Sequence, residues 1–177
     1  MEEFSVDVLK HPTDEDWMLA KKCTLGKDSE KPPTMEWKKK LLAAQHSPIR
    51  TLEFCFRLNN IPNWVAVHLV RHIHTVPFVK TQRNDRQNEY DRGAARQDVP
   101  VTMCWYMNAE ELITIAHKRL CHQASKETTQ VVQAICDAVL ETNPEFDGLL
   151  VPNCYYRGGV CTEFYSCGYN KTYKEGE

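Results

Sequence analysis

The chain reads as an α+β protein, and three observations predict that class. Two stretches alternate apolar and polar residues with the period of a half-buried strand: Leu52, Phe54, Phe56 and Leu58, then Val99, Val101, Met103, Trp105 and Met107. Two later stretches carry apolar residues at helical spacing: Leu112, Ile115 and Ala116 after Asn108, and Val131, Val132, Ile135, Val139 and Leu140 after Ser125. The segments do not follow a regular strand–helix alternation, which sets aside a parallel βαβ design.

Each element follows from local chemistry. Residues 4–9 alternate weakly and predict a first strand. Asp14-Glu15-Asp16 predicts the cap of a short helix through Trp17, Leu19 and Ala20. Residues 24–33, with Gly26 and Pro32-Pro33, read as a loop. Residues 35–45 are good helix formers with Trp37, Leu41 and Ala44 on one face, and Ser47-Pro48 ends that helix. Residues 51–58 form the clearest strand, broken by Asn59-Asn60. Pro62 suits the first turn of a helix capped by Asn60 and running through Trp64, Val65, Leu69 and His72.

Residues 84–98 form a long polar loop with Arg86, Arg92 and Arg96 beside Asp85, Asp91 and Asp98. It is either a solvated mixed-charge surface or a lid over a pocket. Asn108 with Glu111 three residues on is a helix start, and that helix is expected through about His122. Ser125-Lys126-Glu127 starts the next, which stops near Asn143-Pro144. Residues 151–169 are rich in Gly, Tyr and Cys and read as irregular, and residues 171–177 as a frayed tail.

The 177 residues suffice for one domain with a real core. Residues 1–150 are expected to form it, with 151–177 a Cys-rich extension packed on the same domain. A net charge of -2 argues against bulk nucleic-acid binding, so any anion recognition must be local. No apolar run is long enough to span a bilayer, and the acidic start Met1-Glu2-Glu3-Phe4 lacks a signal-peptide apolar region. The expectation is a cytoplasmic protein whose eight cysteines are thiols or metal ligands rather than disulfides.

Two clusters of residues point to chemistry. Leu112, Ile115, Ala116 and Arg119 fall at i, i+3, i+4 and i+7, so Arg119 sits on an apolar helix face. A guanidinium there is costly unless paired. It either meets an internal acid, snorkels from the helix end, or binds an anionic ligand. In the helix from Pro62, Trp64, Val67, His68 and Arg71 share one face, and Val65, Leu69 and His72 the neighbouring one. With Thr81 and Arg83 just downstream, this concentration of cations and hydroxyls favours a phosphate or nucleotide site.

Arg71-His72-Ile73, seven residues, then Thr81 is similar to the signature of flavin-dependent thymidylate synthases, which have Arg-His-Arg, seven residues, then Ser. His46-Ser47-Pro48 and the following strand resemble that family's His-Glu-Thr-Pro loop and strand, and residues 62–71 its next helix. Asn108 through Arg119, Ala124 and Glu127 resembles its Asn…Arg…Gln-x-Glu segment, with equal spacing from Asn108 to Arg119. The resemblance covers roughly residues 20–145.

It implies an α+β fold with an antiparallel or mixed sheet flanked by helices, and synthesis of dTMP from dUMP. Methylenetetrahydrofolate would be the carbon donor and NADPH the reductant, with hydride passing through FAD and no cysteine nucleophile, in a homotetramer with shared active sites. Arg119 would be catalytic, holding and polarising the uracil. His68, Arg71, Thr81, Gln82 and Arg83 would bind dUMP, and Ser47, Arg71, His72, Asn108 and Thr114 would contact FAD. The sequence departs from the pattern at Ile73, which removes a cation, at Asn84 for a tyrosine, at Glu110 for an arginine, and at Thr114 for an asparagine. These departures fall mainly on the flavin side. They leave open a pyrimidine-nucleotide-binding protein that works without flavin or without catalysis.

Cys121, Cys154, Cys161 and Cys167 could form a tetrahedral structural zinc site holding the irregular tail, or remain free thiols in a core. Cys23, Cys55, Cys104 and Cys136 read as small buried residues.

Overall fold

The computed structural model describes residues 3–26, 30–81, 83 and 91–174. The fold is α+β. Its sheet has four strands, β1 (Ser5–Lys10), β2 (Glu53–Pro62), β3 (Val76–Val79) and β4 (Pro100–Asn108), in the order β1-β2-β4-β3 and antiparallel throughout. The two strongly alternating stretches are the central pair. Phe54 faces Met107, Phe56 faces Trp105, and Leu58 faces Met103, all buried on one side of the sheet. That register brings every large side chain of both strands into one core. Phe54 stacks on Phe56 at 5.8 Å and meets Phe146 edge-on at 5.4 Å.

The helices are α1 (Asp14–Leu25), α2 (Met35–Ala43), α3 (Asn63–Leu69), α4 (Ala109–Arg119), α5 (Lys126–Thr142) and a single turn, α6 (Asn153–Tyr156). The cap of α1 is Thr13 rather than the acidic run, and Asp16 accepts from Thr13 backbone N at 2.8 Å and from its hydroxyl at 3.0 Å. The helix also outlasts the loop expected from residue 24. It ends at Gly26, whose φ of +64° lets its N–H reach the Lys22 carbonyl at 2.8 Å. Trp17 of α1 donates its indole N–H to Glu145 at 2.8 Å, and Asn143 donates to the same carboxylate oxygen and to Pro12 O, each at 3.1 Å. These buried bonds tie the first helix to the end of α5.

The expected boundaries of three elements shift. Asn59-Asn60 does not end β2. Asn60 takes a left-handed φ of +55°, the register slips between Leu58 and Ile61, and the strand resumes with Ile61 buried opposite Val101. Asparagine tolerates this conformation, so a bulge absorbs the extra residues. The longer β2 leaves α3 to start at Asn63 after Pro62, and the helix stops at Leu69. Arg71 and His72 therefore lie in the turn beyond α3, not on its faces, and Val67 is exposed. Likewise α4 stops at Arg119, short of His122, where Thr129 of α5 donates its hydroxyl to the Arg119 carbonyl at 2.9 Å. The short strand β3 escapes the sequence reading. It is an exposed edge, where Pro77 removes no needed ladder bond.

The tail from residue 151 packs along α4 and is mostly irregular, as expected, with α6 and a 3-10 turn (Tyr169–Thr172) as its only helical pieces among the described residues. Buried His117 of α4 meets the Tyr156 ring at 4.3 Å and donates Nε2–H to the Leu149 carbonyl at 3.2 Å. Gln45 donates to Tyr156 Oη at 3.2 Å, and Gln123 to the Tyr165 carbonyl. Of the cysteines read as buried, Cys55 and Cys136 are, with burial pushing the Cys136 thiol up to about 12, while Cys104 is half-buried. Cys23 is exposed, because α1 turns only Trp17 and Ala20 fully inward.

Phe54→Ala is expected to cost about 3–5 kcal/mol in urea unfolding, the cost of emptying a buried aromatic site. A loss below about 1 kcal/mol would show that this cluster is not the core. Burial, and then the nearby Arg157 and Lys118, lower the pKa of His117 below its ordinary value. The unfolded chain then holds more protons at this site than the folded one between the two pKa values. His117 therefore contributes stability that is fully present above the unfolded pKa near 6.5 and is lost as pH falls below it. Unfolding free energy is expected to drop from about pH 7 to about pH 5 more steeply in the wild type than in His117→Gln. Equal slopes would remove His117 from that account.

Candidate functional site

The site grows from the end of α4. Asn108 caps this helix by accepting the Glu111 backbone N–H at 3.0 Å, so the sequence's cap prediction is met in its first half. The second half differs: the Glu111 carboxylate turns inward and stands 3.4 Å from His72 Nδ1. Both side chains are nearly excluded from solvent, at 8% and 10% exposed. His72 is held in its turn by its own N–H on the Leu69 carbonyl and by the Thr75 hydroxyl on its carbonyl at 2.7 Å.

Eleven residues after Asn108, at the other end of α4, Arg119 reaches the same histidine. Its Nε donates to His72 Nε2 at 2.9 Å and its Nη2 to the His68 carbonyl at 3.2 Å. Of the three readings open for Arg119, an internal acid is not its partner among the described residues, and its two acceptors are neutral. Burial and then the neighbouring Arg71 guanidinium lower its pKa. The negative end of the α4 dipole favours the charge but does not neutralise it.

A cavity of about 450 Å³ opens beside this guanidinium. His72, Thr114, Lys118 and Arg119 line one side, Cys121 and Gln123 follow from the turn after α4, and Glu163 comes from the tail. Its size suits a small ligand such as a nucleotide. A cationic group in a partly desolvated cavity is a place for an anion or for a polarised carbonyl oxygen.

The residues singled out from sequence divide. Arg119, His72 and Thr114 come together at the cavity, with Arg71 close enough to repel Arg119. His68 contributes its carbonyl, while its ring turns away to Thr128 Oγ1 at 3.3 Å and to the Trp64 edge at 5.4 Å. The His68 ring does not line this cavity. Thr81 and Arg83 are exposed beyond β3 and do not line this cavity, and Gln82 lies outside the described residues, as do 84–90 of the polar loop. In the described part of that loop Arg96 grips Asp98 at 2.8 and 3.0 Å, an exposed local pair.

The flavin-side residues fall at two places: His72 and Thr114, with Arg71 near, are at the Arg119 cavity, while Ser47 and Asn108 are not. Ser47 is exposed, and Asn108 lines a second cavity of about 200 Å³ with Arg50, His74 and Tyr106. Ile73 is 84% exposed. Thr114 donates its hydroxyl to the Glu110 carbonyl at 3.0 Å. Glu110 does not stand as a bare charge: Arg50 clasps it through Nε at 2.6 Å and Nη2 at 3.1 Å. Within one chain Ser47 and Asn108 thus stand apart from the other three.

The four cysteines proposed for zinc do meet, lining one cavity of about 10 Å³ between the turn after α4 and the tail. Burial, and then neighbouring acid and thiol groups, raise the pKa of Cys121, and burial does the same for Cys154. Among the described residues no group of three or more His, Cys, Asp or Glu side chains is arranged to hold a metal ion. Cys121, Cys154 and Cys161 are half-buried and Cys167 is exposed, so the cluster lies at the edge of the core rather than within it.

Sequence reasoning missed Glu111, Arg50, Lys118 and Glu163. The signal for Glu111 was present but misassigned, since an acid three residues after an N-cap ordinarily bonds back to the cap. Arg50 and Glu163 carry no local signal, because tertiary contacts alone bring them to the two cavities.

Among the described residues no helix is long and apolar enough to cross a membrane. No family model matches the sequence, and no curated protein matches it. Solved structures do. Thymidylate synthase X (ThyX) from Helicobacter pylori with FAD and dUMP superposes with a TM-score of 0.65 at 14% identity, covering 84% of this chain and 97% of that one. A flavin-dependent thymidylate synthase ThyX from the same organism, complexed with FAD and dUMP, gives 0.66 at 13%, covering 82% and 99%. The four-stranded antiparallel sheet and its helices thus have the ThyX-like fold.

Proposed function

We propose that this chain is a thymidylate synthase-like enzyme that binds dUMP or a related pyrimidine nucleotide in the Arg119 cavity and transfers a one-carbon unit to C5 of the base. The observation that carries the reading is the half-buried Arg119 guanidinium, fixed by two neutral acceptors at the mouth of a nucleotide-sized cavity. Placed against a pyrimidine carbonyl oxygen, it stabilises the negative charge that develops there as C5 becomes nucleophilic. Lys118 and Arg71 supply further positive charge for a phosphate. The likeness to structures holding FAD and dUMP supports the same substrate class.

In this reading methylenetetrahydrofolate is the carbon donor and NADPH the reductant. The site is shared between copies of the chain in a homotetramer. Sharing accounts for Thr81, Arg83, Ser47 and Asn108 lying apart from the cavity of their own chain. Exposed Val76 and Phe78 on edge strand β3, with Tyr106 paired to Val76, offer an apolar face for such contacts. A second reading, nucleotide binding without flavin, is favoured by the Arg50–Glu110 clasp and by exposed Ile73.

Purified protein is expected to show a flavin absorbance band and to gain thermal stability with dUMP. Colourless protein that still responds to dUMP supports the second reading, and no response to any pyrimidine nucleotide rejects both. Arg119→Ala is expected to abolish turnover and weaken dUMP binding about tenfold or more, with little change in the melting temperature of the free protein. Unchanged dUMP binding would remove Arg119 from the site. Light scattering should give a mass well above the 20.5 kDa of one chain, and a monomer would rule out the shared site.

A further inference from the structure

We infer that Glu111 is the positioning residue of this site: it fixes His72 in one tautomer, and His72 in turn aims the Arg119 guanidinium into the cavity. Arg119 Nε carries a hydrogen and cannot accept, so His72 Nε2, 2.9 Å away, must present its lone pair. His72 is then the neutral imidazole with its hydrogen on Nδ1. An imidazolium, or the opposite tautomer, would set two N–H groups against each other.

The hydrogen on Nδ1 faces Glu111 Oε1 at 3.4 Å. At that separation the contact is electrostatic rather than a short hydrogen bond, and its effect is directional. A carboxylate beside Nδ1 favours the hydrogen there and disfavours it on Nε2. Both groups are almost fully screened from water, which strengthens the bias. The Glu111 backbone is fixed separately by the Asn108 cap, so the carboxylate has a firm base.

The consequence falls on Arg119. Its Nε–H and one Nη2–H are committed to His72 and to the His68 carbonyl, leaving the other three of its five N–H groups for a ligand. Because the acceptors are a ring nitrogen and a carbonyl, the guanidinium is oriented without being neutralised. A carboxylate in direct contact would orient it equally well and cancel the charge the ligand needs. Glu111 acts from one ring further away.

The nucleotide arm of the following test rests on the reading proposed above, and the tautomer arm does not. Nitrogen-15 NMR of the histidine rings, with His72 identified by loss of its signals in His72→Asn, is expected to show His72 as the Nδ1–H tautomer in the wild type. In Glu111→Gln, whose amide can donate to Nδ1, the ring is expected to shift toward the Nε2–H tautomer. A wild-type Nε2–H tautomer, or a tautomer unaffected by Glu111→Gln, overturns the inference whether or not any nucleotide binds. For function, Glu111→Gln should weaken dUMP binding about five- to twenty-fold in the wild-type background and have no further effect in Arg119→Ala. Equal weakening in both backgrounds would mean that Glu111 acts on the fold rather than through Arg119.

Discussion

Arg119 donates Nε to His72 and Nη2 to the His68 carbonyl, and neither acceptor carries a negative charge. A guanidinium half-withdrawn from water without a carboxylate partner is costly to a fold. The surroundings lower that cost by geometry rather than by neutralisation. The helix end supplies a dipole of favourable sign, Thr129 fixes the Arg119 carbonyl, and the opening beside the side chain lets water or a ligand solvate the remaining N–H groups. The positive charge thus remains available, which is what recognition of an anion or of a polarised carbonyl requires.

The sheet makes that placement possible. Pairing of β2 with β4 sets Phe56 against Trp105 and puts Asn108 at the strand end where α4 begins. The His72 ring lies 6.2 Å from Trp105, so the edge of the core forms the floor beneath the histidine. The bulge at Asn60 has its own part in this. It extends β2 to Pro62 so that α3 begins at Asn63, and the turn after the end of α3 at Leu69 carries His72 to Arg119. A longer helix would have kept Arg71 and His72 on its surface.

The tail adds a wall. Glu163 lines the larger cavity, and the four thiols of Cys121, Cys154, Cys161 and Cys167 pack where the tail meets the turn after α4. His117 and Tyr156 hold the other end of the contact. The cavity is therefore shaped jointly by the helix that bears the arginine and by a segment with almost no regular structure, whose position depends on side-chain contacts.

Patterns that operate within one element were legible in the sequence. Strict alternation gave the central strands because one face of the sheet is buried. The i, i+3, i+4, i+7 spacing put Arg119 on an apolar face, and Asn108 was recognisable as a cap from its own chemistry. What tertiary structure decided were the partners. Glu111 looked like a capping acid, yet its carboxylate found His72. Glu110 read as a reversal of charge where an arginine is usual, yet Arg50 met it from a segment sixty residues earlier. Cys121 from the turn after α4 and Cys154, Cys161 and Cys167 from the tail were brought to one place. Such choices rest on distances between segments remote in the chain, and neither periodicity nor propensity encodes those distances.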